Sequence, residues 1–333
     1  MEHRFILEPY SGPHSRYLCP KCQHRQHTFT RYADTENGDH LAEHVGLCDR
    51  IESCGYHYPP REHFKANPGE SATRGTYEFN PAAQRALPKY SALPMELVQQ
   101  SMRQYERNNF VQFLVKMFGR ETANDLTNKY QIGTASHWPG ATIFWQIDHK
   151  ERVRTGKIML YDVKTCKRVK QPFNHITWVH ALLARGSRGV LPGSTSPDQG
   201  FQIKQCLFGE HLLHLDPSKT VAITESEKTA IIASAYYPKK TWLACGSLQG
   251  LTVEKCKVLE GRTVWLYPDV NAYEAWREKA RELQLRMPTT TFRTDKTLEF
   301  HATDEDRLRG IDMADRWIDD KLQEWIIRKE NKI

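Results

Sequence analysis

The chain has 333 residues, of which 39% are hydrophobic and 26% charged, a composition typical of a folded globular protein. This length favours two or three domains over one. Every apolar run is shorter than the roughly 18 residues of a membrane helix, and the first residues do not resemble a secretory signal. We therefore expect a cytoplasmic protein that does not cross a membrane. The net charge of +7 permits a polyanionic partner.

Residues 1–66 contain four of the eight cysteines, arranged as two pairs. Cys19 and Cys22 are separated by two residues, a spacing that suits two thiolate ligands of one Zn²⁺. Cys48 and Cys54 follow and complete the set of four ligands that a structural site uses. Eight cysteines are few for a disulfide scaffold of this length and favour a reducing compartment. The sequence therefore predicts a zinc-ribbon domain with a structural zinc ion.

Two alternatives remain open for this cysteine set. A histidine could replace one thiolate, and four lie nearby in the sequence: His24, His27, His44 and His57. The cysteines could also be unpaired residues of a small β module. Because a module of about 60 residues usually needs a metal or a disulfide to stay folded, we favour the metal site.

The middle of the chain begins with a segment typical of a linker, residues 67–94, which is rich in Pro, Ala, Ser and Gly. Residues 95–218 then predict a mixed α+β segment. Apolar periodicity in this segment indicates two helices and then two strands joined by a polar turn. These elements are expected at residues 95–104, 109–118, 141–147 and 157–162.

From residue 219 to residue 333, predicted strands and helices alternate. Alternation of this kind indicates a mainly parallel sheet with helices on both faces. The expected strands are 221–224, 242–245, 263–267 and 290–293. The expected helices are 225–236, 272–285 and 312–328. The predicted fold class is therefore α/β, with an N-terminal zinc ribbon, a mixed α+β middle segment and a C-terminal Rossmann-like domain.

Acidic residues follow two of these strands at the points where the strands end. Glu225 and Asp269 occupy these positions, and ligands of open α/β sheets bind beyond the carboxyl ends of the strands. Two carboxylates placed there can share Mg²⁺ or Mn²⁺. Asp312 and Asp315 are three residues apart on a predicted helix and could form a further acidic site.

The alternative for these acids is helix capping. Thr224 and Glu227 have the spacing of a capping box, and Glu225 would be favourable at a helix N-terminus. Asp269 could cap the helix that follows it. Each acid considered alone fits either interpretation.

The order of the strands and acids resembles a Toprim domain, the metal-binding catalytic module of bacterial-type primases and topoisomerases. Toprim modules carry a Glu after the first strand, a Gly after the second and Asp-x-Asp after the third. Glu225, Gly246 and Asp269 match these places. Asn271 stands at the second Asp, which removes one charge, and Glu274 or Asp312 could supply the missing carboxylate.

The resemblance extends upstream, because bacterial and phage primases place a zinc ribbon and a mixed α/β segment before Toprim. Residues 129–133 and 143–148 resemble the start of that primase core. The chain also resembles primase-related proteins of Bacteroides-type mobile elements in three segments: CDR…CGY, FWQID…RTGKIMLYD and ESEKTAII. The chain contains no P-loop, so a helicase would be a separate protein.

This resemblance implies a DNA primase-type nucleotidyltransferase that joins ribonucleotides on single-stranded DNA. Glu225 and Asp269 would hold Mg²⁺ or Mn²⁺, and Lys228 would contact phosphate. Three further residues would assist the cation: Asn271, Asp312 and Asp315. The zinc ribbon would grip the template.

A basic segment between the two halves of the chain is the predicted nucleic-acid contact. Residues 151–170 carry seven basic and two acidic side chains, a local charge of +5, with aromatic residues nearby. Cations along a backbone and aromatic rings for base stacking are features of single-strand binding. The predicted contacts are Arg152, Arg154, Lys157, Lys167 and Arg168. The alternative is a solvated hairpin that only keeps the protein soluble.

Three functions follow from these patterns. The first is primer synthesis by metal-dependent nucleotidyl transfer. The second is single-strand binding by a catalytically degenerate Toprim protein, which Asn271 favours. The third is a Toprim nuclease, which the zinc ribbon and the primase-like middle segment disfavour.

Overall fold

The computed structural model describes most of the chain in two compact units, Met1–Gln84 and Arg85–Ile333. Most of the predicted linker, residues 68–89, lies outside the described residues. Side chains of residue 184 and of residues 325–330 are also outside them. The described ranges are 4–9, 15–25, 27–50, 54–67, 90–184 and 202–330.

The first unit contains one antiparallel sheet in the order β1-β2-β3-β4 and one short helix, α1. The buried cluster consists of Phe29 and the cysteines 19, 48 and 54. A core of this size buries too little apolar surface to stabilise a domain without a staple. The elements are β1 (Phe5–Leu7), β2 (Phe29–Asp34), β3 (Gly46–Cys48), β4 (His57–Tyr58) and α1 (Pro60–Ala66).

The second unit begins with an antiparallel sheet in the order β5-β6-β7-β8. Every residue of β6 and β7 is buried. The strands are β5 (Gly133–Thr134), β6 (Thr142–Ile147), β7 (Val153–Met159) and β8 (Ile176–Trp178). The helices are α2 (Met95–Ser101), α3 (Asn109–Phe118), α4 (Arg120–Lys129) and α5 (Val179–Ala184).

Strand β7 differs from the prediction of a strand at 157–162. It begins at Val153 and ends at Met159. Arg154 falls in the predicted polar turn and Lys157 begins the predicted strand, but both are buried within β7, where each has a carboxylate partner. A buried arginine that resembles a turn residue therefore concealed the start of the strand.

A parallel sheet follows in the order β10-β9-β11-β12, and all predicted strands of this region are found within one residue of their expected bounds. The strands are β9 (Val221–Thr224), β10 (Thr241–Ala244), β11 (Thr263–Tyr267) and β12 (Thr291–Thr294). The helices are α6 (Glu227–Tyr236), α7 (Val253–Cys256), α8 (Tyr273–Arg286), α9 (Thr297–Phe300), α10 (Asp304–Arg309) and α11 (Met313–Glu330).

Helices cover both faces of this parallel sheet. Ala222 and Trp242 belong to one buried cluster, with residues of α3, α4, α6 and α11. Val221 and Leu243 belong to another, with residues of α7 and α8. The predicted α/β fold class is thus confirmed, with the carboxyl ends of the four parallel strands at one edge. Within the described residues, no helix has the length and apolar character needed to cross a bilayer.

Candidate metal centres

The four predicted cysteine ligands converge in the first unit. Their sulfur atoms all lie within 4.8 Å of one another. Cys19 Sγ is 3.6 Å from Cys54 Sγ, and Cys22 Sγ is 4.0 Å from Cys48 Sγ. A tetrahedral zinc ion with bonds of about 2.3 Å requires sulfur atoms about 3.8 Å apart. The cluster therefore has the composition and spacing of a structural zinc site, and it contains no histidine.

The backbone turns tightly at the first pair of cysteines. Gln23, directly after this pair, has a left-handed backbone, and its N–H donates to the Cys19 carbonyl. Lys21 Nζ donates to the Cys54 carbonyl at 2.8 Å and links the two cysteine pairs. Burial raises the pKa of Cys19 to about 11, so a cation is needed to hold this thiol as a thiolate at neutral pH.

The acids of the second unit lie at the carboxyl edge of the parallel sheet. Strands β9 and β11 are neighbours, with Thr224 opposite Tyr267, so Glu225 and Asp269 leave the sheet side by side. The Val270 N–H donates to the Ile311 carbonyl at 2.9 Å, which brings Asp312 to the same edge. Tertiary structure therefore assembles what we call the acid set: Glu225, Asp269, Asp312 and Asp315.

Gly246, the third match to the Toprim pattern, holds the backbone of this edge. Its N–H donates to the Glu225 carbonyl at 2.9 Å. It has a φ of 84°, and an added Cβ would meet no atom within 4 Å. The glycine is needed here for its left-handed backbone and not for space.

Neither Glu225 nor Asp269 acts as a helix cap. Ser226 is the N-cap of α6, and its hydroxyl accepts the Thr229 N–H. Helix α8 begins after Ala272, which makes no side-chain cap. In the described part of the chain, the carboxylates of Glu225 and Asp269 make no hydrogen bond or ion pair. The capping explanation therefore does not account for these two acids.

Burial and nearby negative charges raise the pKa values of Glu225 and Asp269. Burial raises the pKa of Asp269 to about 8, and the carboxylates of Asp312 and Glu225 add to the rise. Burial also raises the pKa of Glu225, while Lys157 opposes this shift. These carboxylates are desolvated and have no protein partner among the described residues. A divalent cation bound here would offset the cost of burying them and the repulsion between them.

The carboxylate oxygens of the acid set are more widely spaced than the sulfur atoms of the cysteine cluster. Among the described residues, the cysteine cluster is the only group of three or more His, Cys, Asp or Glu residues with all ligand atoms within 4.8 Å. Mg²⁺ keeps several waters and usually binds one or two carboxylates together with phosphate oxygens. An open pair such as Glu225 and Asp269 is compatible with this coordination.

The ammonium group of Lys228 neutralises charge on the other two members of the acid set, Asp312 and Asp315. Its buried Nζ lies 2.5 Å from Asp315 Oδ1 and 3.4 Å from Asp312 Oδ2. Burial lowers the pKa of Lys228, but the two carboxylates outweigh this and raise it above its ordinary value. Asp312 also accepts the Thr229 hydroxyl at 2.6 Å and the Asp315 N–H at 2.8 Å. The expected contact of Lys228 with phosphate stays a prediction.

Asn271 and Glu274 lie at the periphery of this edge. Asn271 has a left-handed backbone with a φ of 69°, which asparagine tolerates better than most residues. Its side-chain amide donates to the Arg307 carbonyl at 2.7 Å. Glu274 pairs with Arg277 at 2.6 Å on the surface of α8. Of the two candidates for the missing carboxylate, Asp312 is the one that lies within the acid set.

Two of the five predicted nucleic-acid contacts lie inside the protein, which corrects the expectation of a continuous basic surface. Arg154 Nε lies 2.8 Å from Asp148 Oδ2, and Lys157 Nζ lies 3.0 Å from Glu227 Oε2. Each cation neutralises a buried carboxylate. Arg152 also bonds Asp148, at 2.9 Å, but it is partly exposed.

Lys167 and Arg168 are exposed, on the turn that follows β7. The turn closes through a bridge between Tyr161 and Arg168. Cys166 is buried, and burial is the main reason why its pKa is raised to about 12. Of the nearby charges, Asp312 also raises this pKa and Lys228 lowers it. Lys167 and Arg168 therefore directly follow a buried residue whose charged neighbours include Lys228, Asp312 and Asp315.

Sequence reasoning missed the partners that hold this site together. The spacing of Thr224 and Glu227 suggests a local capping box, but Glu227 pairs with Lys157 of the other sheet. Thr229 supports Asp312 from 83 residues away. A polar residue in the first turn of a helix has many local explanations, so no sequence signal separates these long-range roles.

Two family models match the chain. A zinc beta-ribbon finger model matches residues 3–69, and the Domain of unknown function (DUF6371) matches residues 108–270. No curated protein matches the chain.

Three solved primase structures are similar to the chain at low identity. A DnaG primase catalytic domain bound to ssDNA is 12% identical over 65% of this chain and 77% of that chain, with a TM-score of 0.38. The primase fragment of the bacteriophage T7 primase-helicase protein is 12% identical over 89% and 98%, with a TM-score of 0.36. The Aquifex aeolicus primase, comprising its zinc binding and RNA polymerase domains, is 11% identical over 96% and 80%, with a TM-score of 0.38.

Proposed function

We propose that this chain is a primase-like enzyme that joins ribonucleotides on single-stranded DNA with the help of Mg²⁺ or Mn²⁺. The observation that carries the proposal is the convergence of Glu225, Asp269 and Asp312 at the carboxyl edge of a parallel sheet. Two of these carboxylates are desolvated and have no partner among the described residues. The Toprim resemblance of the sequence supports the same assignment.

The chemistry follows from the charge of the substrates. In nucleotidyl transfer, a 3′-hydroxyl attacks the α-phosphorus of a nucleoside triphosphate, and pyrophosphate leaves. A divalent cation at Glu225 and Asp269 would neutralise the triphosphate and stabilise the charge of the in-line displacement. Asp312 would act beside them, held in place by Lys228 and Thr229.

Other parts of the chain would bind the template strand. The zinc ribbon would bind single-stranded DNA, and Lys167 and Arg168 would contact its phosphates beside the acid set. A cytoplasmic role in replication or transfer of a mobile element, with a separate helicase, would fit this activity.

Primer synthesis tests the proposal. Zinc-loaded protein, single-stranded DNA and labelled ribonucleotides are incubated with Mg²⁺ or Mn²⁺, and short labelled products are resolved by electrophoresis. We expect products from the wild type and from Glu274→Gln, whose carboxylate lies outside the acid set. We expect at least a hundredfold loss in Asp269→Asn and in Asp312→Asn. Both changes preserve side-chain size, and asparagine at position 312 can still accept the Asp315 N–H. Equal activity in all four proteins would refute the proposal.

A second function has a specific observation in its favour. Asn271 replaces a carboxylate and donates to the Arg307 carbonyl, while Lys228 already neutralises Asp312 and Asp315. Such a site would suit a protein that binds single-stranded DNA without making primers. In that case, no products form on several templates, and single-strand binding is unchanged in Asp269→Asn.

A further inference from the structure

A cleft of about 350 Å³ opens beside the acid set, between the ends of β11 and β12 and the helices α9 and α11. Its volume lies within the range of small-molecule sites, roughly 300–1,000 Å³. The helices that cover the parallel sheet leave this part of one face open, with Tyr267 half-buried and Arg293 exposed. The function proposed above does not use this cleft.

Aromatic rings form much of the cleft wall. Tyr237, Tyr267 and Trp317 all line it. The ring centroids of Tyr237 and Trp317 are 5.8 Å apart, and Tyr267 packs against Trp242 at 4.9 Å. Tyr237 is 49% exposed, although it sits on a packed cluster. Three aromatic side chains thus border the cleft, and such side chains can stack with a planar ligand.

Charged groups stand around the aromatic wall. The Lys240 ammonium donates to the Tyr267 hydroxyl and lies 4.9 Å from the centroid of that ring. Asp295 lines the cleft and uses Oδ1 to accept the Thr297 N–H at 2.9 Å. Among the described residues, Asp295 Oδ2 accepts no hydrogen bond. An aromatic slot with a free carboxylate oxygen suits a flat heterocycle that carries N–H donors.

The cleft and the acid set share a wall at two points. Pro268 lines the cleft and directly precedes Asp269, and Met313 lines it and directly follows Asp312. Consecutive Cα atoms are about 3.8 Å apart, so the cleft and the acid set are adjacent along the backbone at both points. A ligand with a flat base at one end and phosphates at the other matches this arrangement.

From these observations we infer that the cleft binds the base of a nucleoside triphosphate whose phosphate groups extend to the acid set. This inference rests on the proposed function for its phosphate end and adds the base-binding residues Tyr237, Tyr267, Trp317 and Asp295. Stacking of one base on an aromatic side chain is worth about 1–3 kcal/mol, which corresponds to a gain in affinity between about fivefold and about 150-fold.

Calorimetric titration of the full chain in Mg²⁺ distinguishes binding of the base from binding of the phosphates. GTP is compared with inorganic tripolyphosphate, which carries the phosphates without a base. The variants are Tyr237→Ser and Asp295→Asn, with Tyr90→Ser as the matched control. Tyr90 is 44% exposed and lies outside the cleft. Asparagine at position 295 can still accept the Thr297 N–H, so this variant should fold even if the loss of Tyr237 is disruptive.

We expect wild type and Tyr90→Ser to bind GTP about tenfold more tightly than tripolyphosphate, and both cleft variants to lose most of this difference. Equal binding of the two ligands by the wild type would overturn the base site but leave the metal-dependent function intact. Absence of binding by either ligand would overturn both. A Tyr237→Ser effect confined to an oligodeoxynucleotide, with GTP binding unchanged, would assign the aromatic wall to a DNA strand and overturn the mononucleotide site.

Discussion

Lys157 and Glu227 form a buried ion pair that joins the two sheets of the second unit. Lys157 Nζ lies 3.2 Å and 3.0 Å from the two Glu227 carboxylate oxygens. Lys157 belongs to β7 of the antiparallel sheet, and Glu227 begins the helix that follows β9 of the parallel sheet. The pair therefore fixes the position of the strand end that carries Glu225.

We expect Lys157→Met to destabilise the second unit by about 3–5 kcal/mol, because it leaves the Glu227 carboxylate buried without a partner. Replacing both residues by Met should recover most of this loss, since two apolar groups can pack in the same space. All eight tryptophans lie in this unit, so urea unfolding followed by tryptophan fluorescence measures it alone. Lys167→Met, at an exposed cation, is the control, and a loss as small as the control's would contradict the prediction.

The ion pairs of Asp148 should make stability depend on pH. Burial raises the pKa of Asp148, but backbone N–H groups and the guanidinium groups of Arg152 and Arg154 outweigh burial and lower it overall. A carboxyl group with a lowered folded-state pKa stabilises the fold above its ordinary pKa, and this contribution is lost as the pH falls through the folded-state value.

Asp148→Asn should therefore be strongly destabilising at pH 7, and the gap to wild type should narrow below about pH 4. The free energy of unfolding from urea titrations at both pH values measures this gap. Asp125→Asn, at an exposed carboxylate of α4, controls for the change in net charge. A gap that stays constant between the two pH values would show that Asp148 contributes by packing alone.

One zinc ion per chain is expected, bound by the cysteine cluster of the first unit. Cys48→Ser should lose the metal and unfold this unit, because its core consists of little more than the ligands themselves. His57→Ala should keep the zinc, since His57 lies outside the cluster. Zinc content by atomic spectroscopy tests both variants, and tryptophan fluorescence should be unchanged because the first unit has no tryptophan. Zinc retained by Cys48→Ser would contradict the four-cysteine site.

The exposed turn that carries Lys167 and Arg168 should contribute to single-strand binding. We expect Lys167→Gln with Arg168→Gln to weaken binding of an oligodeoxynucleotide and to reduce the salt slope by about 0.7 for each phosphate that is no longer neutralised. Fluorescence anisotropy at several salt concentrations provides the measurement. A charge-matched control, Arg281→Gln with Arg286→Gln on the exposed side of α8, should leave affinity and slope unchanged. Equally weakened binding in both double variants would mean that only net charge matters.

Local patterns in the sequence determined much of this protein. The spacing of Cys19 and Cys22 predicted the metal ligands, because a short turn is enough to present two thiolates. Strand and helix periodicity predicted the parallel sheet within one or two residues. The positions of Glu225 and Asp269 also followed, since every parallel strand delivers its last residues to the same edge.

Only the tertiary structure decided which charged residues meet. Asp312 joins the acid set through a backbone hydrogen bond between Val270 and Ile311. No local pattern in the sequence predicts this bond. Arg154 and Lys157 appear in the sequence as exposed cations, yet burial beside carboxylates makes them part of the interior. The reason is physical: the cost of burying a charge depends on its partner, and here the partner of Lys157 is distant along the chain.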